Sequence, residues 1–580
     1  MSKNFRLKYL FLLLSIVFSS LLLQAQTTKY ETRAVWISVA SGDWPSSFNK
    51  EEQQQSLLRI LDSLHDLKFN TIYFQVRPRG NTVYRSSYEP WAQQLTGTLG
   101  KDPGWDPLEF AVIESHKRGL EIHAWFNTCR VWIGDPPKNS NHLLSTHREW
   151  VKKFESEWWV DFGIPEARDY TYKLVMELVN SYDLDGIHFD YIRYPGAQFD
   201  DWQSFLTYGG GTEKDEWRRN NITEFVRKCY ESISQEKPFL KVGSAPIGIY
   251  QAMNGAQSSF SGLGVISQDS RRWLREGIHD YVTPQIYWSF DEQQTPYDPD
   301  FALLCSDWIR EAYGRNIIIG IGAYRDYIRN ELAEQIHYLR EAHAEGYAIF
   351  KYSDLTSIRS QIRRLNSTIA LPSAVPWKDT AAPAPPKNIS TVKTNDGILL
   401  RWNMPETTAG RKLPFWFIVY RSLEDSVDIS SPPQILTVLP WQEQSFLDDS
   451  PQAKTGGAVY TVTSLDRFGN ESNRYRQAKH FPAQSFSLFE TERDTLPVLA
   501  DNFPNPFSVK TYFSYTLPKR GFVSLSLKHL ATLRDTLLFY QMQEAGTHIV
   551  YLQSDSLLPG EYECILRSGT TILTKMIEKQ

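Results

Sequence analysis

The chain has 580 residues, longer than one ordinary domain, so about two to four domains are expected. The net charge of -5, with no basic stripe, argues against nucleic acid as a partner. Aromatic residues are the compositional outlier, at 18 Trp, 30 Tyr and 31 Phe. Most must fill cores, and such a supply also suits clefts in which sugar rings stack on indole and phenol faces.

Residues 1–25 read as a secretory signal peptide. Lys3, Arg6 and Lys8 form the positive region, residues 9–23 are apolar, and small-residue cleavage fits after Ala25. No Cys follows, so a lipoprotein anchor is not expected, and export is. Cys129, Cys229, Cys305 and Cys564 lie far apart with no metal-like spacing.

From about residue 30 to 370 strands and helices alternate. The predicted strands are Arg33–Ser38, Thr71–Arg77, Glu121–Asn127, Gly186–Ile192, Lys241–Pro246, Tyr281–Trp288, Asn316–Gly322 and Tyr347–Tyr352. Helical patterns separate them. Glu51–Phe69 carries Leu57, Leu58, Leu61, Leu64 and Leu67 at helical spacing. Asp106-Pro107 reads as an N-cap followed by a first-turn proline. Eight such units make an α/β (β/α)8 TIM barrel the expected fold. An open doubly wound sheet competes, but no glycine-rich phosphate loop follows the first strand. Long loops after strands two to five, rich in Trp, Tyr, Gly and Pro, would build a cleft on one face.

The stretch Asp185-Gly-Ile-His-Phe-Asp-Tyr-Ile-Arg-Tyr-Pro195 is the most informative. Side chains alternate across a strand, so Ile187 and Phe189 share one side while His188 and Asp190 share the other. That pattern places a carboxylate at a barrel mouth, where such folds keep their chemistry.

Residues 371–386 read as a Pro/Ala linker centred on Asp379-Thr-Ala-Ala-Pro-Ala-Pro-Pro386. Beyond it the pattern changes to short alternating strands. Residues 387–482, with Ile398–Trp402, Phe415–Arg421 and Ala458–Leu465, predict a β-sandwich. Residues 495–580 predict a second all-β module.

The barrel region resembles the glycosyl-hydrolase-like 10 family of exported bacterial barrels. The resemblance rests on Arg33-Ala-Val-Trp36, Phe74-Gln-Val-Arg-Pro78, Tyr88-Glu-Pro-Trp91, Leu95-Thr-Gly97, Asp106-Pro-Leu108, His116-Lys-Arg-Gly119, His123-Ala-Trp-Phe-Asn127 and Asp185–Pro195, in that order. It implies a (β/α)8 fold and glycan hydrolysis. Relatives include enzymes that cut peptidoglycan strands stripped of their stem peptides. Two departures stand out. A single Asp190 occupies a motif that commonly carries two adjacent acids, and Asp161-Phe-Gly163 replaces an Asn-Pro-Gly or Asp-Pro-Gly. The 387–482 module resembles fibronectin type III through Trp402, Tyr420, Tyr460 and Asp466–Ser472. The last module, with Asn502-Phe-Pro-Asn-Pro-Phe507 and Leu558-Pro-Gly-Glu-Tyr562, resembles a type IX secretion sorting domain or a related immunoglobulin-like domain. That implies the type IX machinery as a partner, and release or attachment at the outer surface of a Gram-negative cell.

Glycosidic cleavage usually takes two carboxylates, one as acid and one as nucleophile or base. Asp190 is the first candidate. Glu89, Asp161, Asp291, Asp326 and Asp354 all follow strands, and Asp161 is taken as the second. Family 18 chitinases carry a similar strand-four motif, but Ile192 stands where their proton-donor Glu would be. With an N-acetylated substrate, the acetamido carbonyl could serve as nucleophile instead. Gln75, Arg77, Glu89, Trp91, His123, Trp125, Asn127, His188, Arg193, Gln285 and Tyr287 make up the expected polysaccharide-binding set. No His/Asp/Glu triple has ligand spacing, so neither a catalytic metal nor a cofactor is expected. A hydrolase of another polysaccharide and a non-catalytic glycan-binding surface protein are the alternative readings.

Overall fold

A computed structural model of the chain describes residues 28–253, 256, 260–290, 299–405, 413–455, 458–473, 478–479, 497–502, 505–553, 557–568 and 571–580. The signal-peptide stretch and Asp291 lie outside these residues.

Eight parallel strands close into a barrel. They are β1 (Thr32–Ile37), β2 (Thr71–Arg77), β3 (Glu121–Asn127), β4 (Gly186–Asp190), β5 (Lys241–Ser244), β6 (Tyr281–Val282), β7 (Asn316–Gly322) and β8 (Gly346–Phe350). Each pairs with its sequence neighbours, and β8 closes on β1. The fold is therefore the (β/α)8 barrel expected from the sequence. The helix Lys50–Asp66 shows how the outer layer forms. Asn49 caps it by accepting from the Glu52 amide, and Leu57, Ile60, Leu61 and Leu64 are buried against the sheet.

The strands sort their side chains by parity. Val35, Ile37, Ile72, Phe74, Ile122, Phe126, Ile187 and Phe189 join the main apolar core with the helices. Trp36, Tyr73, Trp125 and Tyr281 fill a separate inner core with Ala34, Ala245 and Ala348. Room for these rings comes from glycine. A Cβ on Gly186 would stand 2.5 Å from the His123 ring, and one on Gly243 would stand 2.4 Å from the Tyr281 ring.

Five strands stop earlier than predicted, β1 at Ile37 and β8 at Phe350 by only one and two residues. β6 ends at Val282 because Pro284 has no N–H for the ladder, and only isolated bridges at Gln285 continue it. β5 ends at Ser244, just ahead of Pro246. β4 ends at Asp190 because Tyr191 takes a left-handed backbone, φ 50°. The loop after β3, expected to be irregular, contains a three-stranded antiparallel sheet of Arg130–Ile133, Glu157–Val160 and Val151–Phe154.

The barrel and the next module form one compact unit through residue 482. That module is a sandwich. One sheet holds Lys387–Lys393, Ile398–Asn403 and Ser445–Asp448; the other holds Ile435–Pro440, Trp416–Ser422, Val459–Leu465 and Ala478–Lys479. Trp402, Phe417, Val419, Tyr460 and Val462 lie between them. The sandwich packs on the N-terminal face of the barrel. The His116 ring meets Phe415 and Trp416 edge-on at 5.0 and 5.7 Å. The Arg467 guanidinium stacks on Phe415 and Phe239, pairs with Asp183 at 2.8 Å and approaches Asp185 at 3.8 Å.

The 371–386 stretch is therefore not a free spacer throughout. Leu371 is buried with Trp416, Ile418 and Tyr420. Trp377 donates to Asp280 at 2.8 Å, and Lys378 pairs with the same carboxylate at 2.9 Å. A run containing Leu, Val and Trp has apolar surface to bury, and only its Pro/Ala half fits the linker reading.

Residues 483–580 form a second unit. It holds a sheet of Val498–Leu499, Lys510–Leu517 and Gly546–Gln553, and a sheet of Asp535–Gln543, Gly521–His529, Gly560–Ser568 and Thr571–Lys579. Phe513, Tyr515, Val523, Leu525, Tyr562 and Ile577 are in its core.

Candidate active site

Asp190 is the last residue of β4, at the C-terminal mouth of the barrel. One carboxylate oxygen accepts from Trp125 Nε1 at 3.2 Å, and the other accepts from the Tyr191 amide at 2.7 Å. Burial pushes its pKa up, against the pull of the Tyr191 amide, Arg193, Arg130 and Trp125. A carboxyl that keeps its proton at higher pH can act as an acid. The left-handed turn at Tyr191 delivers that amide, a strained backbone placed beside the reacting group.

Around Asp190 the mouth is lined by rings. Tyr287 stands half-buried between Tyr324 and Phe350, each at 5.8 Å. Burial holds its phenol well above the usual range, and the Asp190 charge adds to this. Trp159 meets Tyr191 edge-on at 5.7 Å. The Arg130 guanidinium lies over the Tyr191 ring at 3.7 Å, and Arg193 lies 5.1 Å from the same ring.

The structure brings Asp190, Trp125, Arg193 and Tyr287 together. Gln285 sits half-buried on β6's side of the mouth, donating to the Ala245 carbonyl at 3.1 Å. Trp91 is half-buried at the rim of the loop after β2, where its carbonyl accepts from Gly100.

Several expected contacts prove to be internal. Asp161 is fully buried, accepts from the Gly163 amide at 2.9 Å and from the Ser204 hydroxyl, and has no hydrogen bond to Asp190. Burial raises its pKa too, but its oxygens tie two loops together rather than face a substrate. Arg77 and Glu89 form a fully buried bidentate pair, 2.5 and 2.8 Å. Arg77 also donates to the Asn127 and Thr128 carbonyls, locking the loop after β2 to the end of β3. Gln75 accepts from the Ser38 hydroxyl and the Val39 and Ala40 amides, which fixes the loop after β1. Asn127 donates to the Pro78 carbonyl at 2.8 Å, and its own oxygen is buried without a partner.

His123 and His188 belong to a hydrogen-bonded chain inside the barrel. Trp36 Nε1 donates to His188 Nε2 at 3.1 Å, which leaves His188 Nδ1 to donate to the Tyr281 oxygen at 3.0 Å. Tyr281 then donates to His123 Nδ1 at 2.7 Å, and His123 Nε2 reaches Glu121 at 3.4 Å. In this chain the His188 ring accepts at one nitrogen and donates at the other, as a neutral imidazole does. His188 is fully buried and stacked on Tyr73 at 3.9 Å, and desolvation holds its pKa well below the ordinary histidine value. These polar residues fill a barrel layer, which parity alone cannot distinguish from a binding site.

Sequence reasoning missed Arg79, Arg130, Glu157, Trp159, Tyr324 and Phe350. The alternation Arg130-Val-Trp-Ile and the run Glu157-Trp-Trp-Val160 were the available signal for a small sheet carrying side chains to the mouth. Among the described residues no group of three or more His, Cys, Asp or Glu is placed to hold a metal ion.

Residues 31–335 match the family described as Glycosyl hydrolase-like 10. The chain is 33% identical over 478 residues to Glycosyl hydrolase YngK of Bacillus subtilis (strain 168), covering 76% of this chain and 92% of that protein. It is 34% identical over 330 residues to Glycosyl hydrolase DigH of Escherichia coli (strain K12), covering 52% of this chain and 75% of that protein. A closed barrel with a protonatable aspartate at its mouth fits these likenesses, and the chain belongs to the glycosyl-hydrolase-like 10 family, as a glycoside hydrolase.

Proposed function

We propose that this glycoside hydrolase cleaves peptidoglycan glycan strands lacking stem peptides, with Asp190 as proton donor and the substrate's acetamido carbonyl as nucleophile. The observation that carries this reading is the solitary state of Asp190. Among the described residues, Glu89 and Asp161 are buried and committed to other partners. Glu157, which shares Tyr191 and Arg193 as neighbours with Asp190, is paired with Arg130 at 2.9 Å and accepts from Trp159 Nε1. One available carboxyl among the described residues suits a sugar that supplies its own nucleophile, which is a 2-acetamido sugar.

In this reading Asp190 gives its proton to the glycosidic oxygen as the C1–O bond breaks, and the acetamido oxygen bonds to C1. Asp190, now ionised, takes a proton from the water that reopens the ring. Trp125 holds the carboxyl in place in both states, and the rings of Tyr191, Trp159 and Tyr287 offer faces for the sugars.

The test is mass spectrometry of products from the full chain on strands with and without stem peptides, beside Asp190→Asn, with the anomeric configuration followed by NMR. Retained-configuration oligosaccharides from stripped strands, absent with the variant, are expected. Inversion would sink substrate assistance, and products from neither strand would sink the substrate.

The chain reads further as an exported protein of a Gram-negative bacterium. Residues 1–25 are proposed as its signal, the 387–482 sandwich as fibronectin type III-like, and residues 495–580 as a sorting module for the type IX machinery. Fractionation of cells expressing the full chain and a chain ending at 482 tests this. Retention of both inside the cell overturns it.

A further inference from the structure

Two arginines, Arg193 and Arg130, flank Asp190, a third, Arg79, neighbours Arg130, and the protein leaves most of their donors unused. Arg193 comes from the turn after β4. Its guanidinium lies over Tyr191, Trp159 and Phe260 at 5.1, 5.2 and 5.2 Å and donates no hydrogen bond among the described residues. Its side chain is only partly buried. Arg130 lies over the Tyr191 ring and spends one nitrogen on Glu157, while its Nε is buried without a partner. Arg79, at the start of the loop after β2, has a side chain with no hydrogen bond and a buried, unpartnered Nε. Gly80, next to it, packs so closely on Val131, next to Arg130, that a Cβ there would stand 3.0 Å from the Val131 carbonyl, which sets the two arginines on adjoining segments.

The charge count is unbalanced. Glu157 offsets one of the three cations, and Asp190 offsets another only when ionised. Guanidinium groups held on aromatic faces, partly desolvated and short of acceptors, are a ready site for an anion. Arginine presents two parallel N–H groups, the geometry of a carboxylate.

We infer that Arg193, Arg130 and Arg79 form a subsite for a free carboxylate carried by the sugar beside the scissile bond. The inference rests on the proposed function and sharpens it. In a peptidoglycan strand every second sugar carries a lactyl ether. When a stem peptide is attached, that lactyl carboxyl is an amide, neutral and bulky. When the peptide is gone, it is a free anion. The arginines then explain why a stripped strand is the substrate: they read the carboxylate that amide hydrolysis exposes. The reaction that must supply this substrate is hydrolysis of the lactyl–peptide amide. Arg193 and Arg130 are specificity residues in this account and transfer no proton.

The test uses the full-length protein and two probes that differ only at this group: N-acetylmuramic acid and its methyl amide. Binding to the Asp190→Asn variant, which cannot turn over, is measured by calorimetry at low and moderate salt. The free acid is expected to bind roughly tenfold or more tightly than the amide, the worth of one charge-assisted hydrogen bond, and to weaken with salt. Adding Arg193→Gln should erase that preference, and Arg193→Lys should restore part of it. In the turnover assay, Arg193→Gln should raise KM on stripped strands, with Arg193→Lys restoring part of it. Equal affinity for acid and amide overturns the subsite, as does an equal loss for both probes in Arg193→Gln. If stripped strands are not cleaved but the acid preference stands, the proposed function fails and the carboxylate subsite survives, with a uronate-bearing glycan as the next substrate to assay.

Discussion

Two aspartates bracket β4 and have opposite fates. Asp185, at the N-terminal end, accepts from His116 Nε2 at 2.8 Å and from the Ile122 amide at 2.9 Å, with Arg467 of the sandwich 3.8 Å away. Although burial pushes its pKa up, His116, Arg467 and the Ile122 amide outweigh it and hold the carboxyl well below the usual range. Asp190, at the other end, has an indole N–H and one amide, and burial wins. The same side chain is held as an anion at the closed face and keeps its proton to higher pH at the open one. The difference lies in what covers each end: a docked sandwich below, a mouth lined by arginines and rings above.

The strongest way to break this comparison is at Asp190. Asp190→Asn should lower kcat on the order of 10²–10⁴-fold, the usual contribution of a positioned acid, with little change in thermal stability. The wild-type rate should also fall as pH rises through the elevated pKa of Asp190, since the acid is then ionised. An Asn variant with near-normal turnover would return this site to a binding role.

Asp185→Asn should act in the reverse sense. Removing one partner of a buried charged set leaves His116 and Arg467 facing an uncharged amide, a loss of about 3–5 kcal/mol in urea unfolding at pH 7. Turnover of the folded fraction should be unchanged. A large loss of kcat without loss of stability would make the two ends equivalent.

Leu371→Ala comes next, at about 2–4 kcal/mol, because its side chain is fully buried between barrel and sandwich. A chain ending at residue 370 should unfold at lower temperature than one ending at 482. Equal melting points would show that the sandwich is only a spacer.

A last effect is acid sensitivity of the barrel interior. Burial holds His188 well below its ordinary pKa and brings His279 to about 4. Both are neutral when folded, whereas the unfolded chain takes up protons below about pH 6.5. Their stabilisation is therefore present above that pH and is lost as pH falls towards 4, by up to about 1.4 kcal/mol per pH unit per histidine. Urea midpoints at pH 7.5 and 5 measure this. A flat profile would mean that these imidazoles can ionise in the folded barrel.

The alternation of strand and helix patterns, the parity of Ile187 and Phe189 against His188 and Asp190, and the motifs from Arg33 to Pro195 were enough to read the barrel and the family and to put Asp190 at the mouth. They are local signals, set by side-chain period and by turn residues. Sequence could not separate the inward residues that fill the barrel from those that face the mouth, because both share one parity. Only the closed sheet shows that His123 and His188 sit in a sealed layer while Asp190, one pair further up, reaches solvent. Nor could it show that Arg77 pairs with Glu89 and Arg130 with Glu157, whereas Arg79 and Arg193 have no carboxylate partner among the described residues. Charge pairing is a matter of distances between separate loops, and those distances exist only once the barrel has closed.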